Sequence, residues 1–143
     1  MISPEFSLFI HSLATELDLQ AGEEESNALL HSVGLRMAHR MPLPECGTTE
    51  GFELECNACL ARIGWGHADL MLDQDRNLFS IKIHDVLRVG ALGQPAGFWF
   101  SSLYAGLFTG WFAQIGESVT IRPTKDERTG NCMVFVVDPS AEA

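Results

Sequence analysis

Lysine is almost missing from this chain. Lys82 and Lys125 are the only two among 143 residues, and the scattered arginines bring the bases to 9 against 19 acids, a formal net charge of -10. Without clustered cations there is nothing to neutralise a phosphate backbone, so nucleic acid is excluded as a partner. The same deficit disfavours adsorption to anionic lipid. A long hydrophobic run is missing too. The most apolar stretch, Gly97 to Ile115, is interrupted by Ser101, Ser102, Thr109 and Gln114, too mixed for a membrane span. The opening Met1 to Ile10 has Glu5 where a secretion signal has basic residues, and no small-residue cleavage site follows. The expectation is a cytoplasmic protein whose four cysteines stay reduced. Catalytic and cofactor motifs are also lacking. Gly90 to Gly97 is glycine-rich but has no Lys-Ser/Thr ending, so it is not a phosphate loop. No serine sits on an elbow motif, and no acid pair occupies an obvious apolar pocket. These absences point to a non-enzyme without a cofactor.

What is present fits one domain, 1–143, with 1–5 and 138–143 expected as flexible tails. Apolar residues at helical spacing predict a first helix over Phe6–Leu19 and a second over Glu23–Arg40, which Met41-Pro42-Leu43-Pro44 ends. The second should bury Leu29/Leu30, Val33, Met37 and Met41. Thr48 or Thr49 caps a third helix carrying Phe52, Cys56, Cys59/Leu60 and Ile63 on one side. After Gly64 and Gly66 the period changes from 3.6 to 2. His67–Asp73 and Leu78–His84 read as a hairpin, and Val119–Arg122 with Cys132–Val137 as another. Between them lies a long helix from about Phe98 to Ile115. The fold class is therefore α+β: N-terminal helices, an antiparallel sheet of two hairpins, and one apolar helix between the hairpins.

Several constellations invite a chemical reading. Cys56-Asn57-Ala58-Cys59 has redox spacing, but a redox pair opens a helix whereas this one lies inside one, so core packing is the expectation. A zinc site would need Cys46 or His67 in addition, at unfamiliar spacing. His67, His84 and Asp69 fall on one face of the first hairpin, where half-exposed sheet residues are the plain reading and metal or proton relay the sharper one. His31 and His39 share a helix face and read as surface or capping residues. The segment Phe98 to Phe112 is apolar on every side and must be buried on every side. Nine Phe and three Trp are many large rings for a chain of this size, so a second chain is expected to cover one face. Gly106 and Gly110 make a smooth strip there, each at about 1 kcal/mol of lost helix propensity. The expected oligomer interface is Trp99, Leu103, Gly106, Gly110 and Trp111.

Phe6-Ser7-Leu8-Phe9, Gly34, Met37, Leu54, Asn57-Ala58, Trp65-Gly66, Val89-Gly90, Gly93, Pro95-Ala96-Gly97, Trp99, Leu103, Gly106-Leu107 and Trp111 occur in an order and spacing that resemble the bacterial cellulose synthase operon protein D family. The resemblance runs from Phe6 to about Val137. This chain departs from it in a shorter hairpin before Cys132 and in cysteines at 56 and 59, where the family has plain apolar residues. The resemblance implies a non-catalytic scaffold of the cellulose synthase complex that aids ordered export and crystallisation of glucan chains. It implies dimers assembling into an octamer with internal passageways, with Phe6, Ser7 and Phe9 near a passageway and the helix of Trp99, Gly106 and Trp111 in subunit packing. Other proteins of the complex, among them a proline-rich one, are the implied partners. A cytoplasmic scaffold near the inner membrane and a periplasmic conduit that threads glucan are the two versions of this role, and the chain start favours the first.

Overall fold

The computed structural model describes residues 4–73, 78–84, 96–123 and 133–139. Three helices come first: α1 (Pro4–Ala21), α2 (Glu23–Arg40) and α3 (Thr49–Ile63). The hairpin β1 (His67–Asp73) and β2 (Leu78–His84) follows, then α4 (Ala96–Gln114), β3 (Val119–Pro123) and β4 (Met133–Pro139). The α+β architecture with a helix between two hairpins is the one expected, and the bounds of α2, β1 and β2 agree residue for residue. β4 includes Asp138, whose carboxylate accepts from Arg122 Nη2 at 2.6 Å across the β3–β4 pair. Residues 1–3 and 140–143 lie outside the described residues, as do the glycine-rich loop up to Pro95 and Cys132.

Local chemistry explains the boundaries. Gly22 turns α1 into α2 at φ 86° and ψ 163°, a region that only glycine enters without strain. Thr48 caps α3, its Oγ1 accepting from the Gly51 N–H at 2.9 Å. Gly64 ends that helix in the left-handed conformation at φ 71°.

The sheet is antiparallel throughout, in the order β1-β2-β4-β3. Ala68, Leu70 and Leu72 face Ile83, Ile81 and Phe79 across the first pair. Phe135 and Val137 extend this inward face to Ile121 of β3. β1 is an edge strand, and α3 covers its open side. Asn57 Nδ2 donates to the Ala68 carbonyl at 2.9 Å and its Oδ1 accepts from the Ala68 N–H at 2.7 Å. Glu53 accepts from the Leu70 N–H at 2.7 Å. Side chains thus satisfy backbone groups that would otherwise offer a pairing edge.

α4 fills the middle of the molecule. One side meets the sheet, where Tyr104 lies 6.5 Å from Phe135, and Phe112 lies 4.7 Å from Phe52 of α3. The opposite side meets α2. The buried line of α2 is Ser26, Leu30, Gly34 and Ala38, a row of mostly small residues four apart. This corrects the stripe expected from hydrophobicity: Leu29 and Val33 point outward, at 49% and 40% exposure. Small residues win because the two backbones approach closely. A Cβ on Gly34 would stand 2.7 Å from Leu107 N, and one on Gly106 would overlap the His31 carbonyl oxygen. The C-terminal end of α2 is tied by α4 side chains. Gln114 Nε2 donates to the Ala38 carbonyl at 2.9 Å and Trp111 Nε1 to the Met41 carbonyl at 3.1 Å, satisfying helix-end acceptors.

Candidate functional site

From Ser101 to Phe112 the apolar side chains of α4 are covered by α2 on one side and by the sheet on the other. Leu103 is 7% exposed, Trp111 is fully buried, and Gly110 faces the Ala38 Cβ. On the strip that the sequence offered to a partner helix, with Leu103 and Trp111 on either side, α2 of the same chain packs against Gly106 and Gly110. Trp99 lies in the first turn of α4, and its side chain is outside the described residues.

Exposed apolar side chains are found on the other helices. α1 buries Ala14 and half-buries Ile10 and Leu17, while Leu8, Phe9, Leu13 and Leu19 stand out at 38–74% exposure. Phe9 is thus at the surface at 57%, and Phe6 and Ser7 precede it on the same helix with side chains outside the described residues. On α2, Leu29 and Val33 line a shallow groove with Met37, flanked by Arg36 and Arg40. Single exposed apolar residues are ordinary, but two adjoining helices with a row each are not. Charge is segregated along α2, with Glu23, Glu24 and Glu25 at its start and Arg36, His39 and Arg40 at its end. Sequence periodicity missed this surface because Leu29/Val33 and Leu30/Gly34 are equally regular. Only the glycines of α2 and α4, read as a matched pair, pointed to the second row as the buried one.

The remaining constellations resolve plainly. Cys56 and Cys59 are buried free thiols at 1% and 2% exposure. Burial, assisted by neighbouring Cys59, pushes the Cys56 thiol far above its ordinary range, which makes it an inert packing group rather than a nucleophile. On the hairpin, Asp69 takes His84 Nε2 at 2.7 Å and lies 3.4 Å from His67 Nε2. No group of three or more His, Cys, Asp or Glu residues able to hold a metal ion occurs among the described residues. No helix among them is long and apolar enough to cross a membrane.

His31, on α2 beneath Gly106, is held below the usual histidine value of 6.5 because burial removes water from the charged ring. Above that value the imidazole is neutral in both folded and unfolded chains. As pH falls through 6.5 the unfolded chain takes up a proton that the folded chain resists, so stability drops until the lower folded value is passed and then levels off. Urea midpoints measured between about pH 8 and pH 5 should show this decline, and His31→Gln should flatten it.

The family model for the D subunit of cellulose synthase matches residues 1–137. Cellulose synthase operon protein D of Komagataeibacter xylinus is 42% identical over 108 residues, covering 76% of this chain and 69% of the relative. A second such protein of that organism is 40% identical over 128 residues, covering 87% and 82%. Among solved structures, a trafficking protein particle complex subunit 3 from Naegleria fowleri, covalently bound to palmitic acid, superposes with a TM-score of 0.63 at 13% identity, over 96% of this chain and 94% of that one. The phenol-responsive sensory domain of the activator PoxR superposes at 0.58 and 12% identity, over 93% and 74%. At such identities the likeness is one of fold.

Proposed function

The chain belongs to the cellulose synthase operon protein D family, a non-catalytic accessory component of bacterial cellulose synthesis, and on that premise we propose that its copies meet through the outward faces of α1 and α2. Self-association and association with other proteins of the complex follow from the family; the exposed apolar residues of α1 and α2 support this reading of the surface that performs the first. The observation that carries it is the exposure of Leu29 and Val33 on α2 and of Leu8 and Leu13 on α1, while the described side chains of α4 are mostly buried. Two α2 helices laid antiparallel about a twofold axis bring Glu24 and Glu25 of each copy toward Arg36 and Arg40 of the other. Apolar residues then fill the centre and opposite charges the ends, the arrangement that gives both affinity and register.

The finer architecture in this reading is dimers closing into an octamer, with the amino-terminal turns of α1, carrying Phe6, Ser7 and Phe9, facing an internal passage for glucan. Its place is the cytoplasmic side of the inner membrane, where it orders chains that a separate synthase makes.

Sedimentation tests the surface. Val33→Arg puts a charge at the centre of the α2 row, at a position exposed enough for the protomer to fold normally. Interface anchors of this kind carry about 2 kcal/mol or more, so the association constant should fall by at least about thirtyfold. The particle should shrink while its circular dichroism stays the same. Leu54→Arg, on the exposed side of α3 at 68%, should leave the mass unaltered. An unchanged mass for Val33→Arg would sink the proposed interface.

A further inference from the structure

Near the turn end of the first hairpin, the inward face of the sheet is not fully covered by the described residues. α3 begins and α4 ends above the turn end of the first hairpin, and a cavity of about 520 Å³ opens between these helix ends and the strands. Its floor is Leu72 of β1, Phe79 of β2, Val137 of β4 and Val119 of β3. Leu72 pairs with Phe79 and Phe79 with Val137, so three of these side chains form a row straight across the sheet. On β3 the partner of Val137 is Ile121, and Val119, two residues along that strand, carries the floor on diagonally. The roof is Phe52, Phe112 and Ile115.

Dimensions and chemistry decide what such a cavity takes. Four strands are three spacings apart, which makes the row about 14 Å long. Dividing the volume by that length leaves a cross-section of roughly 37 Å², narrow enough to make the cavity a slot. An extended backbone advances about 3.5 Å for every three bonds, so an extended chain of about twelve bonds spans the row. Floor and roof are carbon, which makes the slot a poor home for water. A sugar or nucleotide lying there would leave its polar groups unpaired. The polar lining comes from Thr48, Thr49 and Glu117, all exposed, and from the half-buried Cys46, and Leu72 marks the opening at 53% exposure.

We propose that this slot is a binding site for the single aliphatic chain of a fatty-acyl amphiphile, about twelve carbons long, with its polar head left in water at the rim. The net charge of -10 opposes docking on an anionic bilayer, so the occupant is a dissolved amphiphile taken up one molecule at a time. The site is independent of how the copies assemble, because none of its lining residues belongs to α1 or α2.

Calorimetric titration of the intact assembly with octanoate, decanoate, dodecanoate, tetradecanoate and hexadecanoate, each below its micelle concentration, tests it. Burial of two further methylenes should lower the dissociation constant roughly fifteenfold from octanoate to decanoate and again to dodecanoate. The gain should stop near tetradecanoate, once the slot is full. Leu72→Glu, at the exposed opening, should weaken dodecanoate binding at least tenfold while the particle mass stays that of the wild type. Absence of saturable binding by dodecanoate would overturn the proposal. So would affinity that climbs steadily to hexadecanoate and is the same in Leu72→Glu, which is the behaviour of surface adsorption. Particle mass in these titrations reports separately on the α1–α2 interface, so the two readings fail independently.

Discussion

Gly106→Leu should unfold the protomer instead of splitting an oligomer. A Cβ at this position overlaps the His31 carbonyl oxygen and stands 2.9 Å from the His31 carbonyl carbon. These are backbone atoms in the middle of an 18-residue helix, so no side chain can swing away to make room. Either α2 moves bodily off α4 or the helices separate. Overpacking in an adaptable core costs about 1–3 kcal/mol; a clash against fixed backbone belongs at or above the top of that range. Leucine's better helix propensity returns only about 1 kcal/mol. The displaced α2 would also strain the ties from Gln114 to Ala38 and from Trp111 to Met41. Far-ultraviolet circular dichroism of Gly106→Leu should show lost helicity at every protein concentration. Gly106→Ala should show a lowered melting temperature that does not depend on concentration. Gly47→Ala, where an added Cβ has nothing within 4 Å, should melt like wild type. Full helicity with a reduced particle mass in Gly106→Leu would return the glycine strip to the role of a subunit interface.

That result bears on how far a sequence can be read. Strand periodicity was legible because its period of two admits a single alternative: Ala68, Leu70 and Leu72 either face the core or face water, and Phe79, Ile81 and Ile83 agree with them. The bounds of α2 were legible too, since Gly22 and Pro42 punctuate both ends. The face of α2 was not. Two neighbouring rows compete there, and transfer hydrophobicity prefers the leucine and valine row, whereas close packing prefers the glycine and alanine row because it lets the backbones meet. The glycines at 34, 106 and 110 carried that information, but a glycine strip on α4 says only that something approaches closely. Whether the approaching helix is the chain's own or a copy's is a tertiary fact. The covering of α4 by α2 then moved the candidate interface from α4 to α1 and α2. The slot beneath the sheet was likewise invisible in the sequence, because it depends on where α3 begins and α4 ends relative to the hairpin turn.

Trp111→Ala should be the most destabilising single truncation among the described residues, and its effect should be the same in dilute and concentrated protein. Trp111 is fully buried, its ring meeting Phe108 edge-on at 5.3 Å and its Nε1–H donating to the Met41 carbonyl at 3.1 Å. Removing it leaves a cavity between helices that cannot collapse far, because Gly106 and Gly110 already hold α2 and α4 at closest approach. Large aromatic truncations of this kind cost about 3–5 kcal/mol, a sizeable share of a total stability of about 5–15 kcal/mol. For a chain of this length each 1 kcal/mol shifts the melting temperature by about 2–6 °C, so a drop of at least about 6 °C is expected. Trp111→Phe separates the two contributions. The phenyl ring retains most of the packing but leaves the Met41 carbonyl with only the weak Cys59 thiol donor at 4.0 Å, at about 1–3 kcal/mol. Measured at two concentrations tenfold apart, both variants should show equal shifts relative to wild type, since the indole packs and hydrogen-bonds entirely inside one protomer. A shift that shrinks when Trp111→Ala is concentrated would mean that the indole is held partly by a second copy, and would put α4 back at the centre of assembly.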